Sequence, residues 1–532
     1  METVSVCRGS LPIGSLRTSS FKAGTRPRTN SFWALAVIPL LVGAVQAEPA
    51  ARNYDPAIIS LLDRLTFGAT IEDAERLQTA GAKRWLDSQL RPMPQDSLPA
   101  TAQAQIDAMP ITQKPMTELV ADIAAKSKVL NQITDPDLKK AAGQAYQQTM
   151  NDLAKQAAVR QILRDLYSPT QVLERMTWFW FNHFNVHQSK ADIRPMVADY
   201  EDKAIRLHAL GRCRDLLAAT LRHPAMLRYL DNAQNAVGHI NENYAREIME
   251  LHTMGVGSGY TQHDVEELAR ILTGVGINAA PENPNLSPQL ANQLIRDGLF
   301  EFNPARHDYG DKSFLGHAIK GRGFAEVDEA VDILAHHPAT AHHVARRIAM
   351  YFVADDPPNS LVERMADTFQ RSNGDIASVL RAMVDAPEFA AAQPGKFKDP
   401  FRYVLSAIRL AYDEKVVLNT APIQGWLNRM AEGLYNHQTP DGYPLASDAW
   451  NGPGQLAVRF EIARQIGFGS AGLFKPDEPG ATDHPAFPQM QNALYFAGLR
   501  QRLKPNTLAA LDQAVSSQEW NALFLSSPDF MR

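Results

Sequence analysis

Residues 168–187 constrain the fold more than any other stretch of the chain. Ser168-Pro169-Thr170-Gln171 reads as a helix start, with a Ser cap, proline at the first helical position and Gln at the third. The helix it predicts runs through Trp178-Phe179-Trp180-Phe181 and carries apolar side chains on every face. Such a helix cannot lie on a surface, so other elements must pack around its whole circumference. The rest of the chain offers helices for that purpose. His223-Pro224-Ala225, His337-Pro338-Ala339, Ala386-Pro387-Glu388 and Ser527-Pro528-Asp529 each follow an apolar helical run. Proline in a first helical turn gives up no needed N–H, so these read as helix–turn–helix corners. Their uneven spacing excludes a solenoid. The expected fold is all-α: a single large helical body.

At 532 residues the chain is long enough for such a body. Its net charge of −5 and lack of any Lys/Arg block argue against a nucleic-acid surface. Residues 1–47 differ from the rest. Arg17, Lys22, Arg26 and Arg28 precede an apolar run over 32–45, and Val45-Gln46-Ala47 offers a signal-peptidase site. The run is short and contains Pro39, so it reads as a cleaved signal and not as a stable membrane span. An exported protein, periplasmic or extracellular, is expected. Cys7 would leave with that segment and Cys213 would remain alone, which precludes an internal disulfide.

Residues 48–91 read as the first helices of the main body, with Thr70 and Asp73 forming a cap. Residues 92–155, proline-rich at the front and polar behind, read as a peripheral helical insertion. Residues 156–532 read as the main helical domain. One region breaks the pattern. Residues 299–303 and 312–319 alternate or run apolar around the His307-Asp308-Tyr309-Gly310-Asp311 turn, which predicts one small β-hairpin near 299–319. Residues 274–287 look irregular.

Several segments together resemble the bacterial family catalogued as domain of unknown function 1800. They are Arg64-Leu65-Thr66-Phe67-Gly68, Phe181-Asn182-His183-Phe184, Asn241 to Glu247, Glu250-Leu251-His252-Thr253, Gly259-Tyr260-Thr261-Gln262, Leu268 to Gly274, His307 to Lys312, Lys396-Phe397-Lys398-Asp399-Pro400 and Asp441-Gly442-Tyr443-Pro444. The chain departs from that pattern at Gly274-Val275, where the family usually has Gly-Trp. The resemblance implies an exported, mostly helical protein and, as partner, a sulfatase-like protein of the domain of unknown function 1501 family. It implies no activity and no catalytic residue.

The chemistry concentrates on residues 241–255, which read as one helix. On an α-helical wheel Asn243, Glu247, Glu250 and Met254 share a face, while His252 points away from Glu250. Glu247 and Glu250 can form a working carboxylate pair. Equally, Glu242, Arg246 and Glu250 can be a ladder of structural ion pairs. Asn182, His183, Asn185 and His187 interrupt the apolar 168–187 segment and need partners if buried. His183 and His187 are four apart, but Phe184 stands where a zincin has its glutamate. The His307–Lys312 turn is either a ligand loop or a turn held by its own Asp side chains. Arg346 and Arg347 fit an anion site or a solvated helix half. No haem-attachment, phosphate-loop, dinucleotide or nucleophile-elbow motif is present, so the sequence names no cofactor or metal.

The sharpest expectation is an exported enzyme, a hydrolase of an extracytoplasmic polymer. Glu247 would be acid/base or metal ligand, Glu250 its tuning neighbour, His183 its partner and Arg246 an anion or orienting group. Asn182, Asn243, His252, His307, Asp308 and Lys312 would line the same pocket. The competing expectation is a non-enzymatic exported scaffold that binds the sulfatase-like partner.

Overall fold

Capping chemistry sets where many of the helices begin. The Thr70 hydroxyl accepts from the Asp73 N–H (3.1 Å) at the start of Ile71–Ala80. Asp399 does the same for Arg402 at 2.7 Å ahead of Pro400–Tyr412. At two proline corners the preceding histidine is the cap. His223 Nδ1 accepts from Ala225 N and His337 Nδ1 from Ala339 N. The proline between has no N–H to satisfy, so the imidazole reaches past it to the next donor.

The computed structural model describes residues 54–93, 97–278, 283–392, 396–413, 415–476, 480–482 and 484–532. The signal-like segment 1–47 lies outside them. Helix takes 60 % and strand 4 %, so the chain is mainly α, as expected. No helix among the described residues is long and apolar enough to cross a membrane.

The expected insertion carries two short helices, Ala100–Asp107 and Pro110–Gln113, and two longer packed ones, Met116–Gln132 and α1 (Pro136–Tyr167). Its expected boundary at 155 falls inside α1, a single helix of 32 residues. The first half of α1 is solvated. Its buried side chains begin at Met150 and continue to Leu166, so one rod runs from the periphery into the core.

α2 (Gln171–His183) is the predicted central helix, and all its side chains are buried. It starts two residues later than the sequence suggested. Ser168 ends α1, and the Gln171 side chain ties the joint by donating to Asp165 O and Ser168 O. Trp180, Arg175 and Glu174 inside the helix are paired. Trp180 Nε1 donates to Ala209 O (2.9 Å), and Arg175 donates to Thr66 O (2.7 Å) and the Tyr351 hydroxyl (3.1 Å). The fully buried Glu174 takes two bonds from Arg206, at 3.0 and 2.6 Å.

Residues 241–255 are not one α-helix. α3 (Asn243–Glu247) is five residues long and passes directly into a π-helical turn, Ile248–His252. The wider turn shifts the face that follows it. Asn243 is exposed and Glu247 and Glu250 are half-buried, but Met254 is sealed in the core at 3 % exposure. Single-turn π segments inside helices recur at functional sites. α4 (Gln262–Ile271) follows, opened by a reciprocal Thr261/Asp264 capping box.

The expected single hairpin is two separate sheets. β1 (Val275–Ile277), β2 (Ile295–Asp297) and β3 (Phe300–Phe302) form an antiparallel sheet in the order β1-β3-β2, with Val275 opposite Phe302. Among the described residues β4 (Lys312–Phe314) pairs only with β5 (His317–Ile319). The tight turn is Leu315-Gly316, both at positive φ, which matches a two-residue hairpin loop. Between the sheets, Asn303 caps a short 3-10 turn at Pro304–Arg306, and this turn carries the chain away from β3. α5 (Pro338–Phe352) then packs across the body.

Because α2 is enclosed on all sides, truncating its largest side chain should be felt globally. Trp180→Ala is expected to cost about 3–5 kcal/mol, read as a clear drop in melting temperature. A variant that melts with the wild type would show that α2 is not the packing centre.

Candidate functional site

The polar end of α2 organises the site. The Asn182 amide behaves like a strand partner: it donates to Tyr443 O (2.9 Å) and accepts from Tyr443 N (2.6 Å). Asn185 donates to His437 O (3.0 Å) and Thr439 O (2.8 Å). The Tyr229 hydroxyl donates to Gln438 O (2.8 Å). Gly442 has φ +72°, and a Cβ there would lie 2.0 Å from Asn182 O. Only glycine permits that approach. The result is a loop, 436–443, stitched onto α2 with the Asp441 carboxylate at its exposed tip.

Beneath it lies a histidine cluster. His183 is sealed at 2 % exposure, with its Nε2 3.0 Å from His252 O. His343 on α5 meets Leu251 O through its Nε2 at 3.2 Å. Carbonyl oxygens only accept, so both rings carry their proton on Nε2 and a bare lone pair on Nδ1. His183 Nδ1 and His252 Nε2 are buried without a partner among the described residues. The His183 ring is 6.0 Å from the rings of both His252 and His343. Arg347, one turn along α5, adds a guanidinium whose Nε is also buried without a partner.

Burial holds all three imidazoles neutral, and the Arg347 charge reinforces it. His252 is drawn down to about 3, His343 to about 4, and His183 well below its ordinary value. Among the described residues no group of three or more His, Cys, Asp or Glu is arranged to hold a metal ion. α2 ends at His183, so His187 lies off the helix and the four-residue spacing does not bring the two rings onto one face.

The carboxylates lie on the other side of the π turn. Glu250 is paired, with Arg246 at 3.4 Å and the Tyr260 hydroxyl bonded to it. Arg246 also holds Glu242 (3.1 Å) and Gln262 (2.9 Å), so the ion-pair ladder exists. Glu247 stands outside it. Its half-buried carboxylate makes no hydrogen bond or ion pair among the described residues. Desolvation raises its pKa, and the negative charges of Glu250 and Asp441 raise it further. Asp441 acts on Arg347 as well, so the loop tip couples the carboxylates to the histidine cluster.

Three other carboxyl groups among the described residues are pushed up: Asp165, Glu201 and Glu432. All three are sealed at 0–3 % exposure. Glu247 alone in this set reaches solvent.

The structure therefore separates the predicted residues. His183 is not the partner of Glu247; it pairs with the His252 carbonyl, because the π turn carries that backbone across to α2. Asn243 is a tether at the start of α3, donating to Leu230 O. His307, Asp308 and Lys312 form a buried structural network instead of a ligand loop. His307 contacts Thr273 O (2.8 Å) and Glu326 (3.1 Å), Lys312 contacts Glu326 and Asp308 O, and Asp308 takes Arg270 at 2.8 Å. The wheel could not reveal Asp441, His343 or Tyr229, which come from distant segments. The Asp441-Gly442 pair was the one available signal, as a turn whose glycine must approach something closely.

Neutral buried histidines make stability depend on pH with a fixed sign. The unfolded chain binds protons below about 6.5 that these rings refuse, so stability falls as pH drops from there. The melting temperature is expected to fall between pH 7 and 4.5, and His252→Gln should flatten that slope. An unchanged slope in the variant would contradict the assignment.

No curated protein and no solved structure matches the chain. A family model described as "Protein of unknown function (DUF1800)" matches residues 60–532, nearly the whole of it. The chain belongs to the DUF1800 family.

Proposed function

We propose that the protein is an exported acid–base enzyme, a hydrolase, in which Glu247 carries the proton. The observation behind this reading is that Glu247 combines a raised pKa with solvent access and no partner. A carboxyl whose pKa is raised holds its proton to higher pH than an ordinary one and can release it to a substrate. Glu250, fixed by Arg246 and Tyr260, and Asp441, fixed by the stitched loop, are the charges that tune it. Two carboxylates in unlike environments are the usual way one site supplies both an acid and a base. The signal-like N-terminus is what supports an extracytoplasmic polymer as substrate.

Hydrolysis of purified cell-wall polymer tests this, read both as new reducing ends and as new free amines. Glu247→Gln should lose roughly 100-fold or more in turnover. Asp441→Asn should move the Glu247 limb of the pH–rate profile to lower pH, because removing a negative charge lowers that pKa. Turnover by Glu247→Gln equal to the wild type would end the proposal.

The same group predicts a stability trade. Folding raises the Glu247 pKa, so the folded state binds more protons than the unfolded one and loses stability as pH rises through the carboxylate range. Glu247→Gln should therefore melt higher than the wild type at pH 7 and equal to it near pH 3.5. A lower melting temperature at pH 7 would mean that Glu247 is structural.

A further inference from the structure

Two of the family segments play no part in the Glu247 site. Arg64-Leu65-Thr66-Phe67-Gly68 and Lys396-Phe397-Lys398-Asp399-Pro400 instead meet at a partly enclosed cavity of about 270 Å³. Its inner wall is apolar. Ile59, Leu410, Leu499 and Phe524 line it, and Ile59 and Phe524 are almost fully buried.

The cavity also carries charge, and the charges do not cancel. Lys398 reaches Asp63 (3.3 Å) and donates to Phe530 O (2.7 Å), so it is satisfied. Asp63 also takes Arg402 at 3.4 Å. Asp529 is held by the Lys504 backbone N–H (2.9 Å) and the Thr507 hydroxyl (2.7 Å). Arg502 lines the cavity with no hydrogen bond or ion pair among the described residues. It is half-buried, and Arg532 adds a second cation at the exposed rim. In a chain of net charge −5, this is a local excess of positive charge beside an apolar wall.

We propose that this cavity binds a small amphipathic carboxylate, with its alkyl tail against Ile59, Leu410, Leu499 and Phe524 and its head on Arg502. A guanidinium presents a planar fork that matches a carboxylate in two parallel bonds. Asp63 is the carboxylate that acts on Arg502, and it is already shared by Lys398 and Arg402, so a monoanion adds negative charge where cations outnumber it. The volume sets the size. It holds roughly nine groups of water's share, about 30 Å³ each, which suits an acid of about eight carbons. Burial pulls the Lys398 ammonium down to about 8, so a second anion nearby would also favour its charged form.

Calorimetric titration of the full chain with octanoate is the test, with acetate as head without tail and 1-octanol as tail without head. Octanoate should bind saturably at one site. Acetate and octanol should each bind at least about tenfold more weakly, and Arg502→Gln should weaken octanoate by about tenfold or more. If Arg502→Gln does not fold, Leu499→Trp fills the cavity without touching a charge and should abolish binding. Glu247→Gln should bind octanoate like the wild type, since the two sites share no residue. The proposal falls if octanoate shows no saturable binding, if octanol matches it, or if the cavity variants bind normally. It also falls if N-acetyl-Leu-Leu or anionic phospholipid vesicles bind in preference to octanoate.

Discussion

A helix buried on every face must still deal with the polar groups at its end, and the Glu247 site follows from how α2 does so. Asn182, His183 and Asn185 are all at 6 % exposure or less. Left unpaired, each would cost on the order of 1–3 kcal/mol. They are paired mostly to backbone far away in sequence: Tyr443, His437, Thr439 and the His252 carbonyl. Satisfying one helix end therefore fixes the 436–443 loop and the π turn at once. Those two elements carry Asp441 and Glu250, and Glu247 is the last residue of α3, directly before the π turn. A demand that begins as stability ends by positioning three carboxylates.

The rest of the charged interior obeys the opposite rule. Glu174 with Arg206, Glu326 with His307 and Lys312, and Asp73 with Arg409 each place a carboxylate against a donor that neutralises or bonds it. A buried ion pair is at best neutral for stability compared with apolar packing, but losing one partner is severe. Asp165 and Glu432, sealed without an ion pair among the described residues, are pushed toward their neutral form instead. Among the described residues Glu247, Arg347 and Arg502 make no ion pair or hydrogen bond, and each borders one of the two candidate sites.

Much of this was legible in the sequence, and the limits were physical. Helix starts were readable because caps are local: Thr70 with Asp73 and the proline corners needed only a few residues of context. The central place of α2 followed from its apolar circumference. Strand pairing was less visible. β3 looked like one arm of a hairpin, but its partners are β1, across an irregular stretch, and β2. The π turn was invisible, because a wheel assumes one periodicity throughout. That assumption kept Met254 on the face of Glu247, and the side-chain wheel carried no sign that the His252 carbonyl meets His183. Glu247 was nonetheless identified, because the wheel placed it on one face with Glu250 as a carboxylate pair.

Asp441 shows most clearly why the site itself could not be read from one segment. Its influence on Glu247 needs three things: Gly442 at positive φ, the Asn182 amide that clamps Tyr443, and the Tyr229 hydroxyl on Gln438. No two of these are neighbours in the chain except Gly442 and the residue it frees. The glycine is the informative one. Close approach of backbone to α2 requires the absence of a Cβ, and the residue before it is then held at a fixed height above the helix end. A carboxylate at that height raises the Glu247 pKa while remaining solvated itself. Tuning by a neighbour on a rigid loop leaves the proton-carrying group free of hydrogen bonds, which is the state a substrate has to find it in.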